Sequence, residues 1–233
     1  SAYNYIDLDG SNEYIEFSPI TTTGDVTCSA WVRTTDTSAV VVGGAGGDGG
    51  ANSNFIYIAD DLVYFMTGDS TFATLTFDAS INNDQWNHIA VVKQTGSNVV
   101  GYLNGSLQSG VSYSATLSDT TAVKYIGRRD SGLYLTGYIG QTAIWNKALS
   151  ASEVSAIYSL GRHANLLDKY SDNLVGYWAM SSLDASTGLS DVGNGTIYDR
   201  SGNSNHGTAT NTEAADLASS PNADPNGYAK GDT

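Results

Sequence analysis

Residues 86–105 read WNHIAVVKQTGSNVVGYLNG, and their reading decides the fold class. Trp86 and His88 open a strand whose alternate residues Ile89 and Val91 face a core. VVGYLNG is a second strand, and TGSN between the two is a hairpin connection. The second strand ends in Asn104-Gly105, the pair that accepts positive φ in a type I′ turn. Short alternating runs closed by Gly and Asn are β structure, and the same grammar extends in both directions from this hairpin.

Toward the N-terminus, YNYIDLDG and NEYIEFS read as a hairpin around DGSN. VTCSAWVRT, AVVVGG, NFIYIA, LVYFMTG and FATLTFD follow at short spacing. Toward the C-terminus come AVKYIGRR and GYIGQTAIWN. So many strands with no helix between them predict an all-β, antiparallel β-sandwich. One segment breaks the pattern. In NKALSASEVSAIYSLGR, Ser150 and Glu153 match a capping box, and Val154, Ile157 and Tyr158 share a face. This predicts a short helix of about two turns, stopped near Gly161.

Composition agrees. The 233 residues hold 26 Gly, 3 Pro and 15 Tyr against 5 Phe, and 40% are hydrophobic, enough for a core. The formal charge of −14 repels phosphates and anionic lipid, which argues against nucleic acid as a partner and suits divalent cations. No apolar run approaches the ~18 residues a membrane span needs, so membrane insertion is not expected. The single cysteine, Cys28, cannot form an intrachain disulfide and reads as a small core residue.

Six motifs now stand in a fixed order: IDLDGSNEYIEF, TCSAWVR, QWNHIAVV, GYLNGSLQ, YIGRR and GYIGQTAIWNKALSASEVSAIY. Their order resembles that of laminin G-like jelly rolls, in the concanavalin A-like lectin and glucanase superfamily that also includes the pentraxins. The resemblance covers residues 3–161. It implies a jelly-roll domain over 1–162 and a C-terminal extension over 163–233. In that family a segment like LVGYW…DRSGNSNHG is usually the opening one, whereas here it occupies 174–207. Leu174–Met180 is therefore expected to add a strand to the sandwich, in its own chain or in a neighbouring copy. NLVGYW and an SGNSNHGT turn after the jelly roll, with AADLASSP in the tail, also resemble laminin G-like proteins of tailed phages of aquatic bacteria. Those are structural or receptor-facing virion parts.

Three kinds of chemistry come into question for these residues. Retaining glycosidases need two carboxylates ~5 Å apart. Asp7 and Asp9 share a strand face but lead into a turn, Asp60 and Asp61 point to opposite faces, and His88 reads as a structural histidine. His163 and His206 have no nucleophile motif around them, so no enzyme is expected. Calcium is the cofactor the loops suggest. The likeness to pentraxins places Asp36 at a ligand position, with Thr37 where an Asn would stand. It places Asp130 at a second, with Arg128 and Arg129 where acidic or amide ligands would be. Asp48, Asn52 and Asn54 form another loop candidate, and Asp199, Asn203 and Asn205 could hold a cation or build Asx turns. For sugar binding, Tyr134 with Arg128, Arg129 and Asp130 is the first candidate, and Tyr57 and Tyr64 are strand-borne alternatives. The expected function is a non-enzymatic structural or adhesive module on a virion or in the extracellular space. Its partners would be surface glycans, virion proteins or other copies of itself in a homo-oligomer. The alternative is a calcium-dependent carbohydrate-binding module of a secreted bacterial protein.

Overall fold

The computed structural model describes residues 5–44, 53–68, 70–96, 98–130, 132–180, 192–193, 195–212 and 216. In chain order the strands are β1 (Ile6–Asp9), β2 (Tyr14–Thr23), β3 (Val26–Thr34), β4 (Ser38–Gly43), β5 (Asn54–Ala59) and β6 (Leu62–Gly68). They continue with β7 (Thr71–Thr76), β8 (Asn87–Gln94), β9 (Asn98–Leu103), β10 (Ser106–Gln108), β11 (Gly110–Tyr113), β12 (Thr120–Ile126) and β13 (Thr136–Trp145). Helix α1 (Ala151–Leu160) and a 3-10 turn, Leu166–Asp168, follow. The last strands are β14 (Leu174–Trp178), β15 (Val192–Gly193), β16 (Thr196–Ile197) and β17 (Gly207–Thr210).

These strands form two antiparallel sheets. One runs β1-β13-β3-β8-β9-β10, with β14 also on β13; the other runs β11-β7-β6-β5-β4-β12-β2-β17-β16-β15. The hairpin over 86–105 is β8 and β9, with Val91 opposite Gly101. Asn104 and Gly105 both take positive φ, 50° and 76°, as the type I′ turn requires. β3 and β8 lie at the centre of their sheet and are buried along nearly their whole length, so polar side chains such as Thr27, Ser29, Arg33, Asn87 and Lys93 are buried with the apolar ones.

The first hairpin is a correction. β1 pairs with β13 and β2 pairs with β12 and β17, so YNYIDLDG and NEYIEFS belong to different sheets. The DGSN turn carries the chain across the sandwich. Asp9 Oδ1 accepts from Ser11 N at 2.7 Å, and Gly10 has φ 75°.

Helix α1 begins at the capping box: Glu153 N donates to Ser150 Oγ at 3.2 Å and Ser150 N to Glu153 Oε2 at 2.8 Å. It runs ten residues, slightly longer than expected, and Gly161 closes it at φ 80°. Val154 and Ile157 are buried with Trp145, Leu166 and Tyr177 in a satellite core beneath the helix.

The displaced segment joins both sheets. β1 occupies one half of the free edge of β13, and β14 occupies the other, pairing Thr142 with Trp178 and Trp145 with Leu174. β17 lies on the edge of β2, pairing Thr208 with Glu16 and Thr210 with Tyr14. Trp178, Met180 and Ile197 enter the inter-sheet core, where Trp178 packs 4.5 Å from Phe17. The polar turn holds this return. Asp199 accepts from Tyr177 N, Ser201 N, Ser201 Oγ and Asn205 N at 2.8–2.9 Å. Asn203 and Asn205 donate to the carbonyls of Leu174 and Val175. Of the two roles open to Asp199, Asn203 and Asn205, these bonds are those of turn building.

Candidate functional site

The outer face of the ten-stranded sheet carries a cross-strand row of aromatic and cationic side chains. Strand alternation puts Ile15 and Phe17 of β2 into the core and Tyr14 and Glu16 outside. On β5 and β6 the same rule turns Tyr57 and Tyr64 outward, with ring centroids 5.4 Å apart, and Phe72 of β7 stands 5.4 Å beyond Tyr64. All three are half-buried. β12 contributes Tyr125, which lies opposite Glu16.

Arg128 occupies the middle of this row. Its guanidinium carbon lies 4.6, 4.8 and 5.0 Å from the ring centroids of Tyr14, Tyr125 and Tyr134. Its N–H groups donate to Tyr134 Oη at 3.2 Å, Arg129 O at 2.8 Å and Asp130 O at 2.6 Å. The arginine is therefore a positioning group that fixes three tyrosine rings. Gly43 is needed beneath it, because a Cβ there would stand 2.5 Å from Arg128 O. Arg129 extends the row, its guanidinium 5.8 Å from the Tyr57 ring. Burial, then Glu16, raises the Tyr125 phenol above its ordinary pKa.

The structure thus brings Tyr134, Arg128 and the backbone of Asp130 together, and joins Arg129 to Tyr57 and Tyr64. Tyr14 and Tyr125 were missed by sequence reasoning. Their only signal was an outward position in the alternation of β2 and β12, which many surface tyrosines share.

The calcium candidates are arranged differently. Asp36 is engaged in the fold: its Oδ2 accepts from Thr136 N at 2.6 Å and its N donates to Thr34 Oγ1 at 2.9 Å. Asp130 is exposed, and its N donates to Gly44 O at 3.2 Å. Asp48 and Asn52 lie outside the described residues. Among the described residues no group of three or more His, Cys, Asp or Glu could hold a metal ion. Arg128 donates to the Asp130 carbonyl at 2.6 Å, which places a cation beside that position, whereas a calcium ion needs several converging oxygens.

Asp9 shapes the turn after β1, and Asp60 takes φ 52° in the turn between β5 and β6. Asp7 is raised to about 6 by burial and then by Asp216. Glu13 is raised to about 7, by burial first, and hydrogen-bonds Asp216. His88 is buried between Trp31 and Tyr158, and burial lowers it to about 3. Cys28 is buried and free, its thiol pushed up by burial.

A family model described as the concanavalin A-like lectin/glucanases superfamily, of laminin G-like type, matches residues 9–155. The chain belongs to this family. The match ends before β14, so the strands that complete both sheets lie beyond it. No curated protein matches the chain significantly in sequence. Among solved structures, a proposed carbohydrate binding protein from Bacteroides ovatus superposes with TM-score 0.54 at 15% identity. That match covers 90% of this chain and 59% of the other. A heptameric pentraxin from Limulus polyphemus gives 0.51 at 14%, over 66% of this chain and 81% of that one. Domain 4 of an extracellular arabinanase from Geobacillus stearothermophilus, solved with arabinotriose, gives 0.51 at 19%, over 65% and 75%. At these identities the likeness is one of fold.

Proposed function

We propose that this laminin G-like protein is a non-enzymatic carbohydrate-binding module working outside the cell or on a particle surface. The observation that carries the reading is the row of half-exposed rings on the outer sheet face, Tyr57, Tyr64, Phe72 and Tyr134, held beside Arg128 and Arg129. Flat rings receive the apolar faces of sugars, and neighbouring polar groups fix their orientation. Two of the fold neighbours, the Bacteroides protein and the arabinanase domain, carry sugar binding in their descriptions, which supports the same direction. Display on a phage virion or a bacterial surface is the setting in which such a module serves adhesion. That part of the proposal rests on the order of the sequence motifs. No α-helix among the described residues is long and apolar enough to cross a membrane.

A glycan array probed with and without chelator tests the proposal. Binding should be retained with chelator and weakened by Tyr64→Ala and Tyr134→Ala. Loss of binding with chelator would transfer the function to a calcium site. Sugar release from a bound glycan would refute the non-enzymatic reading.

A further inference from the structure

A groove of about 430 Å³ opens on the outer sheet face where β17 meets β2 and β12. Its cause is local. Val123 pairs with Ile20 and Tyr125 with Glu16, so Phe17, Ser18 and Pro19 of β2 face Lys124 alone. Pro19 has no N–H to give the ladder, and the bulge leaves a depression there. The opposite wall is the returning chain: Thr208, Thr210 and His206. One wall therefore lies inside the family match and the other beyond it.

The wall chemistry selects a ligand. Glu16 and Lys124 meet at 3.0 Å, offering a carboxylate acceptor and an ammonium donor side by side. Thr208 and Thr210 add hydroxyls that both donate and accept. His206 Nδ1 accepts from Asp199 N at 3.1 Å, which ties the ring to the turn. Tyr198, 44% exposed, stands edge-on to His206 at 5.3 Å and supplies an aromatic surface beside the groove. The only lysine in the wall is already matched by Glu16, and the chain's net charge of −14 disfavours anionic ligands. The volume is within the range of small-molecule sites.

We propose that this groove is a subsite for uncharged sugar units, built by the C-terminal return of the chain and continuous with the tyrosine row through Tyr14 and Tyr125. It rests on the carbohydrate-binding reading and extends it to a place and a ligand class. A neutral glycan chain lies with one end among Glu16, Lys124 and Thr208 and runs across the rings.

The test is calorimetric binding of cello-, xylo- and arabino-hexaose to the full chain, with hexagalacturonate as the acidic probe. Thr208→Trp, which fills the groove from an exposed strand position, should weaken the best neutral ligand by about tenfold or more, while Ser112→Trp on β11 leaves it unchanged. Glu16→Gln and Lys124→Met should each weaken it severalfold with little change in melting temperature, which keeps the test valid if the tryptophan variant fails to fold. Binding that survives all three groove variants but falls with Tyr64→Ala overturns the groove and leaves the broader function standing. Tighter binding of hexagalacturonate than of any neutral hexamer overturns the ligand class. No binding of any probe removes both proposals.

Discussion

Replacing Asp199 by Ala should unlatch the C-terminal return. The carboxylate is 6% exposed and accepts four hydrogen bonds: Tyr177 N, Ser201 N and Ser201 Oγ at 2.8 Å, and Asn205 N at 2.9 Å. Tyr177 N lies in the satellite core, and a buried donor left without its acceptor costs about 1–3 kcal/mol. The Ser201 and Asn205 amides are only half-buried, and water replaces part of what they lose. The expected loss is about 3–5 kcal/mol, a large share of the roughly 5–15 kcal/mol that holds a domain folded. In urea, with a slope of about 2–3 kcal/mol/M, the midpoint should fall by about 1–2 M. Hydrogen exchange at the Tyr177 amide should quicken in parallel. Asp199→Asn should fall between, because the amide presents an NH2 where two donors already point. A cost below about 1 kcal/mol with unchanged Tyr177 exchange would refute the latch. If calcium raised the wild-type midpoint and the substitution abolished that rise, Asp199 would be a cation ligand instead.

Three further outcomes follow from the same geometry. Truncation after Arg162 removes Leu174, Tyr177, Trp178, Met180 and Ile197 from the two cores; at about 1.5–3 kcal/mol for each side chain, this is comparable to the whole stability of a domain. The truncated chain should aggregate or lose its cooperative transition, and a 163–233 peptide should restore it; melting within a few degrees of the full chain would show that the extension is not needed. Glu13 and Asp7 hold their protons up to about 7 and 6 in the folded chain, and release them near 4.5 and 3.8 when unfolded. The folded state therefore binds more protons in that interval, so stability should fall as pH rises from about 4 to 7, and Glu13→Gln should flatten the thermal-melt profile. His88 is 1% exposed with no hydrogen-bond partner on either ring nitrogen among the described residues, so His88→Phe should raise stability by about 1 kcal/mol, and a loss of that size would reveal a partner for the imidazole.

Part of this molecule could be read directly from the chain. Alternation with period two identified β1–β9 and β12–β14, Asn104-Gly105 identified its turn, and Ser150 with Glu153 identified the start of α1. All are local signals, set within a few residues by sterics and hydrogen bonding. Strand partnership is not local. Every strand offers the same N–H and C=O ladder, so sequence says which side chains face inward but not which neighbour a strand takes. That is why IDLD and YIEF read as a hairpin although the chain places them in opposite sheets. It is also why Leu174–Met180 was legible as a buried strand while its place beside β13 was not.

The candidate site divides in the same way. Tyr134, Arg128 and Arg129 are near in sequence and could be grouped by eye. Tyr14 and Tyr125 reach Arg128 only because β2 and β12 pair, and the groove exists only because a bulge at Pro19 lies opposite a strand that returns from beyond residue 206. The sequence by itself determined the residue types, the strand faces and the turns, because those depend on neighbours a few positions away. That Tyr14 meets Arg128 and that Thr208 lies beside Glu16 was decided by the tertiary structure alone, because both depend on ladder register between segments more than a hundred residues apart.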